Sequence, residues 1–231
     1  MQEKGRFDLV TDADLASQQV IRQTIARRFP DHGFLGEEER SPHRRPGPDA
    51  PPTWIVDPLD GTTNYVHDVP LYCVSIGLAV AGDLVAGVVF DPSRQELFRA
   101  ARGQGAWLGE ERLQVSSVDR LDVAMLATGF PPDLRGQERL LEWWGYFSLR
   151  AQSLRRTGST ALNLAYLAAG RFDGYWAFDN HVWDVAAGSV LVREAGGIIS
   201  NADGSPYDPF TPDALAANPQ LHAILLRCLQ S

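Results

Sequence analysis

The sequence predicts a mixed α/β (α+β) fold. Three observations carry this: a meander of short apolar runs between Tyr72 and Leu108, a change after Arg120 to alternating helical and extended runs, and a composition able to bury a large core, with 44% hydrophobic and 22% charged residues in a chain of 231.

Taken in order, Thr11 and Asp12 open a helix in which Val20, Ile21, Ile25 and Phe29 recur at about one-turn intervals until Pro30 closes the pattern. Gly33 to Gly36 fits a short strand. Residues 41 to 52 hold five prolines, two arginines and a glycine, so an exposed excursion without regular structure is expected there, a candidate for a loop that moves. The apolar run from Trp54 ends in Asp57 and leads through Asp60 to Gly61-Thr62-Thr63, which reads as a buried strand, a turn and a helix start. Tyr72 to Val80 and Leu84 to Phe90 are strands joined by Ala-Gly-Asp, and Glu96 to Ala100 with Ala106 to Leu108 continues the meander. In the second half the expected order is a strand near Val123 to Ala127, a helix within Gln137 to Leu149, and a helix from Thr160 to Ala169. A strand near Gly174 to Ala177, a helix from Asp184 to Ala195 and a strand at Ile198 to Ser200 follow. Asn218-Pro219 then caps and opens a last helix. A division near residue 117 separates an N-terminal α+β part, 1–117, from a C-terminal α/β part, 118–231, with no internal repeat.

Net charge is -8, from 29 acids and 21 bases, which argues against a nucleic-acid partner and favours one that is cationic or neutralised by metal. Cys73 and Cys228 lie far apart, without other ligands at metal spacing, so neither a disulfide framework nor a zinc site is expected. No apolar stretch reaches the length of a membrane span and no signal-like segment follows Met1; a soluble, cytoplasmic protein without a membrane partner is the expectation.

Asp57 and Asp60 stand three apart around a stiffening proline, beside a glycine and two hydroxyls. Carboxylates so placed can share a hard cation such as Mg²⁺, and backbone N–H groups at a helix start near Gly61 can take a phosphate. Asp-Pro-x-Asp-Gly is equally an ordinary acidic turn. Glu37 and Glu38 are candidate ligands or, with Glu39, part of a solvated charge run. Asp184, in Trp183-Asp-Val-Ala-Ala-Gly188, is a candidate ligand or a plain helix cap. With Gly158-Ser159-Thr160, three helix starts are available to face one anion.

These elements, in this order, resemble the inositol monophosphatase family, within the Mg²⁺-dependent, lithium-sensitive phosphatase superfamily that includes fructose-1,6-bisphosphatases. Two signature motifs carry the resemblance, Trp54-Ile-Val-Asp-Pro-Leu-Asp-Gly-Thr-Thr-Asn-Tyr-Val-His67 and Trp183 to Gly188. Gly36-Glu-Glu38, Asp8-Leu-Val-Thr-Asp-Ala-Asp14 and Gly158-Ser-Thr160 support it. It implies a layered αβαβα sandwich with the site between the two parts, and a homodimer. It implies that Glu37, Asp57, the Leu59 carbonyl, Asp60 and Asp184 hold two or three Mg²⁺ ions. Thr62 and Asp14 match the pair that orients and deprotonates the attacking water, and Glu38 matches a carboxylate that supports it. Leu59, Asp60, Gly61, Thr62, Gly158, Ser159, Thr160 and Asp184 match residues around the substrate phosphate. The reaction implied is hydrolysis of a small phosphorylated metabolite, a polyol or sugar phosphate, by direct attack of a metal-activated water.

Two departures from the family pattern stand out. Ala177 occupies the position of a glutamate that binds sugar hydroxyls in inositol-specific members, leaving the alcohol open, with Phe178, Asp179, Asn180 and His181 expected to shape its pocket. The helix that members carry ahead of the segment matching Lys4 to Asp8 is missing, through a late start or a real loss, and weak or absent occupancy of the third metal is the expectation. Histidinol phosphate, fructose 1,6-bisphosphate and 3'-phosphoadenosine nucleotides are alternative substrates, with Arg155, Arg156 and Arg171 as candidate contacts for a second phosphate. A regulatory binding protein on the same fold is the alternative outside enzymology, and a Ca²⁺-binding or structural domain the generic one.

Overall fold

The computed structural model describes residues 2–5, 8–39, 45–131 and 133–230. A hairpin of β1 (Gln2–Gly5) and β2 (Asp8–Val10) precedes α1 (Asp12–Arg28). A seven-stranded sheet follows, formed in spatial order by β3 (Gly33–Gly36), β4 (Thr53–Asp60), β5 (Cys73–Val80), β6 (Asp83–Asp91), β7 (Glu96–Ala101), β8 (Ala106–Leu108) and β9 (Glu111–Arg112). All its pairings are antiparallel except β3 with β4, which run parallel. The five-residue α2 (Thr62–Val66) leaves the end of β4.

The second sheet has five strands in the order β11 (Ser153–Arg155), β10 (Met125–Thr128), β12 (Gly174–Ala177), β14 (Ala214–Ala217) and β13 (Ile198–Ser200). It is mixed: β10 runs parallel to β11 and β12, and β14 antiparallel to both its neighbours. Its helices are α3 (Glu138–Ser148), α4 (Thr160–Ala168), α5 (Val182–Glu194) and α6 (Pro219–Gln230).

Strand alternation shows how the layers form. Tyr175, Ala177 and Ala216 point into one core cluster with α4, α5 and the buried face of the first sheet. Trp176, Leu215 and Ala217 point the other way, into a cluster with Phe147 of α3 and Leu221, Leu225 and Leu229 of α6. Helices α4 and α5 are therefore the shared middle layer between two sheets, which explains why both are apolar around almost their whole circumference. Gly87 of β6 marks the closest approach: a Cβ there would stand 2.5 Å from the Ala187 carbonyl of α5. The result is the expected αβαβα layering, with α1 against β4 at one end and α3 and α6 at the other.

The expected strands and helices from Thr11 to Ser200 form within a few residues of their predicted bounds. The exceptions are instructive. Strands β1, β2, β9, β11 and β14 were not anticipated; all are two to four residues long, too short to show a period, and β14 is a uniformly apolar Ala-Leu-Ala-Ala buried on both faces. Helix α5 starts at Val182 rather than Asp184. In the 41–52 excursion, residues 45–52 form only turns, and 41–44 lie outside the described residues, as does the side chain of Lys4. No helix among the described residues is long and apolar enough to cross a membrane.

Candidate active site

The site is built on an irregularity in β4. Asp57 pairs with Ser75 and Asp60 with Cys73, so β4 carries one residue more than β5 over this stretch. Pro58, which has no N–H for the ladder, sits in the bulge. The Asp57 carboxylate folds over it and accepts the Leu59 N–H at 3.0 Å. Gly61 follows at φ +95, and a Cβ there would lie 2.7 Å from the Leu71 carbonyl, so only glycine turns the chain here. Helix α2 begins at once, and the Thr62 hydroxyl lands 3.0 Å from both Asp14 Oδ1 and the Leu59 carbonyl. Asp14, fully buried in the first turn of α1, also accepts the Thr11 N–H at 2.8 Å and the Thr11 hydroxyl. Ser17 of α1 donates to the Pro58 carbonyl at 2.9 Å, fixing helix to bulge.

Asp60 reaches across to the second half of the chain. It accepts the Ser159 hydroxyl and the Ala161 N–H, each at 2.6 Å, and the Thr160 N–H at 3.3 Å. Asn64 makes a second tie, donating to the carbonyls of Leu71 at 2.7 Å and Thr157 at 2.9 Å. These contacts correct the expectation that three helix starts face one free anion. The start of α4 holds the chain's own carboxylate, and at α5 Asp184 is the third helical residue, its Oδ2 accepting the His181 N–H at 2.7 Å. At α4 a contact a hundred residues apart decides which anion fills the helix start, and at α5 a residue three positions away does.

A pocket of about 720 Å³ opens over these groups. Glu37, Asp57, Leu59, Asp60, Gly61, Thr62, Gly158, Ser159, Thr160 and Asp184 all line it, so the anticipated residues from both halves of the chain do share one surface. Asp14 stands behind Thr62, outside the wall. Glu38 is also off the wall, its N–H bonded to Gln18 Oε1 at 3.0 Å. Two residues expected to shape the alcohol pocket are elsewhere: Phe178 stacks on Trp143 at 4.5 Å, and Asn180 bonds Tyr175 and the Pro212 carbonyl. Asp179 and His181 do reach the wall, with the His181 ring stacked on Trp183 at 4.7 Å. Leu9, Asn64, Phe130, Pro131 and Asn163 also line the pocket and were not anticipated. Phe130 had a usable signal, since Gly129-Phe-Pro follows the strand expected near Val123 to Ala127 in the α/β part, and α/β sheets place ligands beyond strand ends.

The electrostatics explain what such a site is for. Burial pushes the Asp57 carboxyl well above its ordinary range, and the charges of Glu37, Asp60 and Asp184 push it further. Asp60 is raised to about 6, chiefly by burial, against the lowering effect of the Ser159, Ala161 and Thr160 donors. Asp184 is raised by burial and then by Asp60, while the His181 N–H pulls the other way. Among the described residues no three His, Cys, Asp or Glu side chains already form a metal-holding group. The donors are nonetheless all oxygens, four carboxylates and the Leu59 carbonyl, and that set fits a hard divalent cation. The Leu59 N–H on Asp57 and the His181 N–H on Asp184 each engage one carboxylate oxygen, which leaves the other for coordination.

The family model for the inositol monophosphatase family matches residues 1–231, the whole chain. The chain belongs to the inositol monophosphatase family. An inositol-1-monophosphatase from Synechocystis is 46% identical over 99% of this chain and 79% of its own length. A protein from Salmonella typhimurium named Nus factor SuhB is 42% identical over 97% of this chain and 83% of its own. Among solved structures, the extragenic suppressor protein SuhB from Bartonella henselae superposes with a TM-score of 0.93 at 39% identity, covering 100% of this chain and 88% of that one. Membership in this family of metal-dependent phosphatases makes the chain a phosphomonoesterase.

Proposed function

We propose that this protein hydrolyses a small phosphorylated polyol or sugar by direct, in-line attack of water on the phosphate, with Mg²⁺ held by Glu37, Asp57, Asp60, Asp184 and the Leu59 carbonyl. The observation that carries the reading is the convergence of those four carboxylates, from both parts of the chain, on one pocket beside the Thr62 hydroxyl. Two or three ions are the proposed complement; when bound they supply positive charge to the phosphate dianion and acidify water.

The chain's own groups do the rest. Thr62 donates to Asp14 and so keeps its oxygen lone pairs turned outward, ready to accept a proton from a water, while Asp14 acts through Thr62 as the positioning base. Gly61 and Thr62 present N–H groups toward the phosphate at the start of α2. Asp60 anchors α4 to β4, so that closure of the two parts, divided near residue 117, and assembly of the site are one event. A homodimer, lithium sensitivity and a cytoplasmic location complete the proposal.

Phosphate release from inositol 1-phosphate, glycerol 2-phosphate, histidinol phosphate, fructose 1,6-bisphosphate and 3'-phosphoadenosine 5'-phosphate tests it, each with Mg²⁺, with EDTA and with added Li⁺. Mg²⁺-dependent, Li⁺-inhibited release from at least one ester is expected. Bound Mg²⁺ without turnover of any ester would favour a regulatory binding role.

A further inference from the structure

Among the Asp, Glu, Lys and Arg residues on the pocket wall, all are acids except one. Of the three arginines available to a second phosphate, Arg171 is committed to Glu96, with two contacts of 2.6 Å, and covers Phe98 and Tyr166. Arg155 turns to the Ser153 hydroxyl and the Leu154 carbonyl. Arg156 alone lines the pocket, and it is the one Lys or Arg among the described residues that does. Its guanidinium lies 5.9 Å from the Phe130 ring centre and has no ion-pair partner among the described residues.

Position decides what this cation can reach. Arg156 is three residues before Ser159, which bonds Asp60, so its Cα stands within roughly 11 Å of the Ser159 Cα, the reach of three extended residues. The strongest charges on Asp57 and Asp184 are other carboxylates, so Arg156 is not the counter-ion of the acid cluster. It lines the same pocket as that cluster. Ala177, at the family's hydroxyl-binding position, is buried and off the wall, and Asp179, two residues on, is the acid of that segment which reaches it. A planar guanidinium resting on an aromatic face keeps its outer N–H groups free for a bidentate anion.

Resting on the phosphomonoesterase reading above, we infer that Arg156, backed by Phe130, receives a second anionic group carried on the alcohol part of the substrate. The preferred esters are then sugar bisphosphates or phosphorylated hydroxy acids rather than phosphates of neutral polyols. A cationic alcohol such as histidinol is disfavoured by the same charge.

The test measures kcat/KM with Mg²⁺ for fructose 1,6-bisphosphate, 3-phosphoglycerate, glycerol 2-phosphate and inositol 1-phosphate, in wild type, Arg156→Gln and Arg156→Lys. The selectivity for the two doubly anionic esters over the two neutral-alcohol esters should fall tenfold or more in Arg156→Gln, mainly through KM. Part of it should return in Arg156→Lys, and it should weaken with added salt. A loss on the bisphosphate alone assigns the anion as phosphate, and a loss on both assigns anions generally; either supports the inference. A selectivity ratio unchanged within twofold in Arg156→Gln would overturn it, as would an equal loss on all four esters, which places Arg156 on the reacting phosphate. No turnover of any ester by the wild type removes the phosphatase reading itself, an outcome distinct from turnover with unaltered selectivity.

Discussion

Removing metal and raising the pH should destabilise this protein, and the structure sets the scale. The Asp60 carboxyl rises from 3.8 to about 6 on folding, first because it is buried. The folded state therefore holds that proton more tightly than the unfolded chain. The stability this contributes is fully present below 3.8 and is lost as pH rises through about 6, after which the curve is flat. At 1.36 kcal/mol per tenfold change in proton affinity, Asp60 alone is worth about 3 kcal/mol, or roughly 6 to 12 °C in Tm for a chain of this size. Asp57 and Asp184 shift in the same direction. The assay is urea unfolding of EDTA-treated protein between pH 4 and 8, wild type against Asp57→Asn. The amide keeps the acceptor for the Leu59 N–H and removes a charge facing three other carboxylates. Metal-free Asp57→Asn should be more stable than wild type at pH 7.5, with the gap closing as the pH falls, and it should have no turnover. Taking the difference between the two proteins cancels titrations elsewhere, including His222, whose burial lowers its pKa and works in the opposite sense. A gap that is absent at pH 7.5, or that widens toward pH 4, would refute the claim that the site stores unfavourable charge.

Three further outcomes follow from the same geometry. Mg²⁺ binding at pH 6 should release protons, seen as a calorimetric heat that varies with the ionisation enthalpy of the buffer and shrinks by pH 8; a buffer-independent heat at pH 6 would contradict the raised carboxyls. Thr62→Val removes the hydroxyl between Asp14 and the pocket, and kcat should fall by roughly a hundredfold or more with little change in Tm; near-normal kcat would discard the Thr62–Asp14 relay. Gly87→Ala sets a methyl 2.5 Å from the Ala187 carbonyl in the middle layer and should destabilise by roughly 3 kcal/mol in urea unfolding; a change under about 0.5 kcal/mol would mean that α5 is not held against β6 as described.

Much of the site was legible because its groups are close in sequence. Asp57, Asp60, Gly61 and Thr62 lie within six residues, and the proline and glycine that shape the bulge and turn are read directly from the chain. Elements with several periods, such as β5 and β6, were equally readable, because burial on one face leaves a repeat. Strands of two to four residues such as β9 and β11 leave none, and their existence depends on the neighbour they pair with. Phe178 and Asn180, placed by sequence near the alcohol, turn away because stacking on Trp143 and bonding to Pro212 satisfy them better than the pocket does.

The sequence by itself determined the local chemistry: a strand that ends in two acids, a glycine turn and a hydroxyl, because backbone conformation there is set by neighbours along the chain. Only the tertiary structure decided how that chemistry is used. It put Glu37, Asp57, Asp60 and Asp184 on one pocket, gave the start of α4 to Asp60, and left Arg156 rather than Arg155 or Arg171 facing the pocket. The physical reason is that charge and desolvation act through space, so a buried carboxylate or an available cation is defined by groups a hundred residues away, which no local pattern records.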